Sequence, residues 1–168
     1  AGWSEVGANL MEGSNIYISA PAEAHPAVLD LAVDLAVLLG GQPVFAEALE
    51  LDGLAGANLQ LPEIAAAILM GAVSRQPSWR EGRAIAGSAL AQAAAPLKDG
   101  FPAQAAQIAF HNRENLLRLL DDLAAEIQRA KIALQSEESS TLESLLTEER
   151  EAYIEWLENR QRVQPSGG

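Results

Sequence analysis

Two histidines, His25 and His111, are the residues of this 168-residue chain best suited to metal binding or proton transfer. They lie far apart in the sequence, and a metal site built on imidazole would need both of them, with carboxylates, in one place. His25 precedes Pro26 at the start of a predicted helix, which favours a solvent-facing structural role. For His111 a surface or dimer contact is favoured over catalysis. We therefore predict no catalytic residue and no metal site in this chain.

Neighbouring carboxylates are the second group whose chemistry could serve catalysis. They lie in polar segments, where nothing predicts the raised pKa that a general acid requires. We interpret them as solvated helix faces. The pairs are Asp121-Asp122, Glu137-Glu138 and Glu148-Glu149.

Three arginines, Arg75, Arg80 and Arg83, form the basic cluster of the chain. Guanidinium groups suit carboxylate ligands because they donate two parallel hydrogen bonds. In a chain with 23 Asp and Glu against 11 Lys and Arg, intramolecular ion pairs are the favoured alternative. The net charge of −12 also disfavours nucleic acid and anionic membranes as partners, since both carry phosphate.

The sequence contains no glycine-rich dinucleotide loop, Walker loop, nucleophile elbow or His-Glu-x-x-His motif. We therefore predict no cofactor-binding residue. The absence of cysteine excludes disulfides and thiolate metal sites, and it fits a reducing, cytoplasmic location. The apolar stretch 28–39 contains Asp30 and Asp34 and is too short to span a bilayer, so no membrane segment is predicted.

Alanine and leucine dominate the composition and predict an all-α protein. The chain has 32 Ala and 24 Leu against 16 Val and Ile and 8 aromatic residues, and both Ala and Leu are strong helix formers. The segment 52–74 is apolar on all sides, which predicts deep burial, and Pro62 should kink it or mark its restart. Helices are predicted over 26–39, 52–74, 79–95, 101–134 and 141–163.

The segment 101–134 carries apolar residues at alternating steps of four and three, which is typical of one long helix with a single packing seam. Asn112 falls on that seam, where a polar side chain is expected to fix register or pairing. The last two helices should pair antiparallel through the short polar break at 136–140. A strand is predicted at 16–18, which needs a sheet lying mostly outside this chain, and a brief extended segment at 44–49.

The order of these segments resembles the C-terminal half of the prephenate/arogenate dehydrogenase family, which joins a nucleotide-binding domain to an all-helical dimerisation domain. The resemblance covers essentially the whole chain, at 9–21, 39–52, 59–63, 76–83, 100–101 and 112–117 and in the two closing helices. It implies an all-α helical bundle like that dimerisation domain, of the 6-phosphogluconate dehydrogenase C-terminal-like type, with a short β remnant at the N-terminus.

The resemblance also implies a division of the chain. Residues 1–23 would be the last strand and exit of a nucleotide-binding domain, 24–163 the helical dimerisation and substrate-side domain, and 164–168 a flexible tail. Because the sequence opens at Ala1 rather than Met, we expect it to be cut from a longer protein.

Enzymes of this family oxidise prephenate or arogenate by hydride transfer to NAD or NADP, with loss of CO₂, on the way to tyrosine. Their catalytic His and dinucleotide loop belong to the nucleotide-binding domain, so this chain alone is expected neither to bind the cofactor nor to turn over. The implied partners are that missing domain in cis and a second copy of the helical domain. The homodimer should bury more than about 1,600 Å².

Several positions depart from the family pattern where substrate would bind. The family's Glu-His-Asp is here Glu50-Leu51-Asp52, its His-Leu-Pro-His is the sequence at 60–63, and the arginine usual after Gly-Phe is absent. A later arginine is replaced by glutamine, which loses both the charge and the bidentate geometry. The positions that the resemblance places nearest the substrate cleft are Gln60, Glu63, Lys98, Gly100 and Gln107.

The leading hypothesis is therefore the helical dimerisation and substrate-side domain of a prephenate dehydrogenase-like oxidoreductase. One alternative is a non-enzymatic helical scaffold or partner-binding bundle. The other is a related two-domain dehydrogenase that acts on a different hydroxy acid, which the lost His and Arg positions favour.

Overall fold

The structure is a computed structural model, and it describes residues 11–98, 100–136 and 138–163. The predicted tail 164–168, the first ten residues of the predicted remnant 1–23, Asp99 of the predicted turn and Glu137 of one carboxylate pair lie outside the described residues. The chain forms two compact units, one of 1–51 with 127–168 and one of 52–126. Each unit is described by itself.

The first unit begins with a strand, a helix and a second strand. β1 (Asn15–Ile18) and β2 (Gln42–Phe45) pair in parallel, with Asn15 opposite Gln42, and α1 (Pro26–Leu38) connects them. The strand predicted at 16–18 is confirmed, and it finds its partner within this chain. The extended segment predicted at 44–49 is wrong in its second half, because α2 begins at Ala48.

Both ends of α1 follow the sequence signals. At the start, the His25 imidazole Nδ1 accepts a hydrogen bond from the backbone N–H of Ala27 at 3.2 Å, which is the structural role predicted for this histidine. At the end, Gly40 has a φ of 79°, in the left-handed region that glycine adopts without strain.

The same unit contains the end of α7 (Arg113–Gln135) and α8 (Ser139–Val163). The Arg129 guanidinium donates to Glu148 and, at 3.4 Å, to Glu149, so the two helices run antiparallel across a short connection. The helix predicted over 141–163 is present, and it begins two residues earlier, at Ser139. Both glutamates are exposed, as predicted, but they are also paired with Arg129.

The predicted helix at 52–74 is part of a longer helical segment with a widened turn. α2 (Ala48–Ala55) passes into a π-helical turn over Gly56–Gln60 and then into α3 (Leu61–Ser74). Pro62 has no N–H and its ring would collide with the carbonyl four residues earlier, and a π turn at this point relieves that collision. The irregularity predicted at Pro62 is therefore present as a π turn just before it.

Two predicted helices are interrupted. The helix at 79–95 is divided into α4 (Trp79–Ile85), α5 (Ser88–Ala93) and a 3-10 turn (Ala95–Leu97), because Gly87 is extended with φ −93° and ψ −170°. The helix at 101–134 is divided into α6 (Pro102–His111) and α7, with Asn112 between them at φ −102° and ψ 22°. The hydrogen bond from the Leu116 N–H to the Asn112 carbonyl keeps the helical spacing across this break.

Few apolar side chains are buried in the described part of the chain. The buried ones are Ala36, Ala66, Leu116 and Ala133. Deep burial of 52–74 was predicted and is wrong for the single chain, since Leu59 is 71% exposed and Ile68 is 47% exposed. The helical bundle thus leaves much of its apolar surface in contact with solvent.

One helical segment in the described residues, Ala48–Ser74, is long and apolar enough by length and composition to cross a membrane. The core helix of a soluble protein passes the same test.

The close approach of α1 and β1 at Gly41 generates a first prediction. A Cβ atom at Gly41 would lie 2.5 Å from Ile16 Cδ1 and 3.0 Å from the Ser14 carbonyl oxygen. We expect Gly41→Ala to lower the free energy of unfolding by about 1–3 kcal/mol, because the added methyl group would overpack this contact. Chemical denaturation at one fixed protein concentration measures the change.

The matched control is Gly53→Ala, since Gly53 lies in α2 with nothing within 4 Å of its added Cβ. Alanine is the better helix former, so this variant should gain about 0.5–1 kcal/mol. Equal effects of the two substitutions would contradict the packing described at Gly41.

Candidate functional site

The second unit contains a groove between its helices, with a volume of about 500 Å³. One wall comes from the π turn and α3, and the opposite wall comes from α6 and the chain just before it. Most of the lining is aliphatic, with Leu59, Ile64 and Leu97 among the larger side chains. The polar side chains that line it are Gln60 and Glu63. A groove of this size and composition suits a small apolar ligand that carries a polar group at one end.

Three of the five predicted cleft residues lie together in this groove, namely Gln60, Glu63 and Gly100. Lys98 does not line it and is exposed just after the 3-10 turn. Gln107 does not line it either, because it lies on α6 two residues from both Ala105 and Ala109, which do. Two residues correspond to about 200° around a helix, so Gln107 is on the far side.

Asn112 connects the walls of this groove through hydrogen bonds. Its Nδ2 donates to the Asp52 carbonyl oxygen at 2.7 Å and to Gln60 Oε1 at 3.0 Å. Its Oδ1 accepts from Asn115 Nδ2 at 2.8 Å. Asn112 was predicted to fix register or pairing on the apolar seam. In the structure its side chain links the α6–α7 break to the π turn. The apolar periodicity singles out Asn112. It gives no signal that Asn112 contacts Gln60 or Asn115.

Gly56 allows Asn112 to reach the π turn. Gly56 is buried, and a Cβ atom there would lie 3.1 Å from Asn112 Nδ2 and 3.3 Å from Leu119 Cδ1. With hydrogen in place of a side chain, the carboxamide of Asn112 passes over the helix to the Asp52 carbonyl. The glycine, the π turn and the asparagine therefore form one local arrangement.

A second close approach places the Glu63 carboxylate beside Gly100. A Cβ atom at Gly100 would lie 2.8 Å from Glu63 Oε1. The absence of that Cβ lets the half-buried carboxylate occupy the edge of the groove. Gly100 thus contributes to the groove by having no side chain where the Glu63 carboxylate lies.

The other groups considered for chemistry do not assemble into a site in the described residues. No cluster of three or more His, Cys, Asp or Glu side chains there could hold a metal ion. His111 is exposed at the end of α6. The ion pairs expected for Arg75, Arg80 and Arg83 are not observed in the described part of the chain, where all three are exposed.

The class of protein that the fold defines is an all-α helical domain with a short two-stranded parallel sheet near its N-terminus, as predicted. The sequence matches no protein-family model and no curated protein. Solved structures that share its fold include prephenate and arogenate dehydrogenases, and the match is consistent with the C-terminal helical domain of that family.

Arogenate dehydrogenase from Synechocystis matches with a TM-score of 0.77 and 16% identity, over 88% of this chain and 54% of that chain. Prephenate dehydrogenase from Aquifex aeolicus, in complex with hydroxyphenyl propionate and NAD⁺, matches with a TM-score of 0.74 and 18% identity, over 89% and 51%. A second structure of the Aquifex aeolicus enzyme gives 0.72 and 18%, over 89% and 52%. The chain therefore spans about half the length of the solved structures that it matches.

The hydrogen bonds of Asn112 generate the second prediction. We expect Asn112→Ala to lower the free energy of unfolding by about 1–3 kcal/mol, because it leaves the partly buried Gln60 amide oxygen without its donor. Thermal or chemical unfolding measures the loss.

Asn58→Ala is the matched control, since the Asn58 side chain donates to the Leu54 carbonyl of its own helical segment and is exposed. A surface asparagine of this kind should change stability by no more than about 0.5 kcal/mol. A loss in the control as large as in Asn112→Ala would show that the link to the π turn contributes nothing particular.

Proposed function

We propose that this chain is the helical dimerisation and substrate-side domain of a prephenate dehydrogenase-like oxidoreductase. The observation that carries the proposal is the fold shared with prephenate and arogenate dehydrogenases over 88–89% of the chain, at TM-scores of 0.72–0.77. The parent enzyme would oxidise prephenate or arogenate with NAD or NADP and release CO₂. A nucleotide-binding domain in cis would supply the cofactor site, because this chain has no phosphate-binding glycine loop.

The exposed apolar surface supports a homodimer through the helical domain. Among the described residues only four apolar ones are buried, which is few for a folded domain, and side chains such as Leu38 and Ile68 remain exposed. Exposed apolar patches of this extent on helices mark surfaces that another protein chain covers. We propose that the second copy covers the 48–74 segment and its neighbours.

Polar residues near the middle of that segment favour a protein partner over a lipid bilayer. Gln60 and Glu63 lie close to the centre of Ala48–Ser74. A carboxylate at the centre of a bilayer costs several kcal/mol. We therefore propose no membrane partner. The net charge of −12 disfavours nucleic acid as a partner, and the absence of cysteine fits a cytoplasmic location.

A second candidate is a related two-domain dehydrogenase that acts on another hydroxy acid. The observation in its favour is that no Lys, Arg or His is among the described residues that line the groove. Prephenate and arogenate each carry two carboxylates, for which the described lining residues offer no cation, whereas a simple hydroxy acid carries one. The parent enzyme's substrate profile distinguishes the two candidates.

Light scattering of the purified chain in detergent-free buffer tests the dimer and gives the third prediction. We expect a mass twice the 17.8 kDa of one chain at micromolar concentration. Ile68→Glu should raise the dimer dissociation constant by at least about tenfold, because it places a charge in an apolar interface. Ile85→Glu is the control, since Ile85 is 86% exposed but lies in the short helix α4.

A monomer in buffer, or a chain that stays dispersed only in detergent, would contradict the proposed dimer. A dimer dissociation constant that Ile68→Glu leaves unchanged would show that the interface does not include α3.

The complete protein that contains this chain tests the activity. It should reduce NAD⁺ or NADP⁺ when given prephenate or arogenate, whereas the present chain, assayed in parallel, should not. Reduction with small hydroxy acids alone would favour the second candidate. A complete protein without a nucleotide-binding domain would support the non-enzymatic scaffold instead.

A further inference from the structure

We propose that Asn112 is a positioning residue for the groove: by holding the π turn, it fixes the rotation of α3 that brings Glu63 to Gly100. Asn112 is not among the residues that line the groove, and it acts through the turn that it contacts. The inference goes beyond the proposed function, since it concerns the arrangement of the groove and holds whichever ligand the groove takes.

The π turn changes which side of the helical segment faces the groove. Gly56 and Glu63 are seven residues apart, and in an uninterrupted α-helix seven residues turn through about 700°, which would place both on the same side. A turn with a hydrogen bond between residues five apart, such as the one from the Leu61 N–H to the Gly56 carbonyl, absorbs one extra residue. The rotation between Gly56 and Glu63 is then closer to about 600°, so the two residues lie roughly 120° apart around the axis.

The contacts of Gly56 and Glu63 agree with this rotation. Gly56 faces the α6–α7 break and α7, where an added Cβ would lie 3.1 Å from Asn112 Nδ2 and 3.3 Å from Leu119 Cδ1. Glu63 instead lies beside Gly100, with its Oε1 2.8 Å from the position of an added Cβ. In a regular helix over the same residues Glu63 would lie on the Gly56 side, and the described lining of the groove would lose its charged side chain. The π turn therefore gives the groove its carboxylate.

Asn112 is placed to hold this turn. Its Nδ2 donates to the Asp52 carbonyl, which precedes the turn, and to Oε1 of Gln60, which is the last residue of the turn. Both acceptors must therefore stay within hydrogen-bond distance of one nitrogen. Pro62 disfavours a regular helix at this point, but it does not choose between a wider turn and a kink. The rotation of α3 therefore depends on Asn112.

An isosteric substitution in the complete 168-residue chain tests the positioning role. The readout is the change that Glu63→Gln causes in the NMR chemical shifts of Gly100, because it removes a charge that lies beside this glycine. We expect this change in the otherwise unaltered chain. It should be lost in Asn112→Asp, which keeps the shape of the side chain but places only acceptor oxygens opposite two acceptors.

Gly41→Ala is the matched control for a loss of stability, since it overpacks a contact in the first unit. The response of Gly100 to Glu63→Gln should be unchanged in this variant. A response lost equally in Gly41→Ala and Asn112→Asp would show that Asn112 contributes stability alone, and it would overturn the proposal. A response that survives in Asn112→Asp, or one that is absent from the unaltered chain, would overturn it as well.

Deletion of Asn58 tests the rotation itself. Asn58 lies within the π turn and is exposed. With one residue fewer, and with Pro62→Ala to remove the ring, a regular helix would bring Glu63 to the same place without the π turn. In this shortened chain the response should be retained, and Asn112→Asp should no longer abolish it. A response that is absent from the shortened chain, or that still requires Asn112, would contradict the one-residue rotation.

Discussion

The carboxamide of Asn112 is the interaction on which the second unit depends. Asn112 lies between α6 and α7, and its Nδ2 donates to the Asp52 carbonyl of α2 and to Gln60 of the π turn. One partly buried amide thereby connects the α6–α7 break to the π turn and to the end of α2. The alternative, an amide on this seam without partners, would cost about 1–3 kcal/mol. The break in the helix and the π turn opposite it are therefore best understood as two sides of the same contact.

The sequence predicted the regular elements because their signals are local. Pro26 and the Gly40-Gly41 pair bound α1 with caps that act within a few residues, and the helix at 141–163 was placed to within two residues. The interruptions were missed for a related reason. At Asn112 the backbone bends, but the hydrogen bond from the Leu116 N–H preserves the spacing of the apolar residues. The periodicity of the sequence therefore does not reveal the bend.

The resemblance indicated five residues near a substrate cleft, and the structure brings three of them into one groove. Gln60, Glu63 and Gly100 lie together as the resemblance implied, whereas Gln107 lies on the opposite side of α6. Matching a position to a family pattern gives its place along the chain but not its angle around a helix. The burial of 52–74 failed for another reason: whether an apolar helix is covered depends on chains other than its own.

Fold and substrate are separable in this chain. The fold follows from alanine- and leucine-rich helices, and at 16–18% identity it is shared with dehydrogenases whose groove residues need not be the same. The polar lining of the groove comes from two side chains, Gln60 and Glu63, at places where the family that the sequence resembles has imidazoles. Replacing two groups that can each donate or carry positive charge by one neutral amide and one carboxylate changes the charge that a ligand must bring. The scaffold that orients them, Asn112 on one side and Gly100 on the other, is unaffected by that change. A helical domain can therefore keep its packing while the polar side chains that line its groove change.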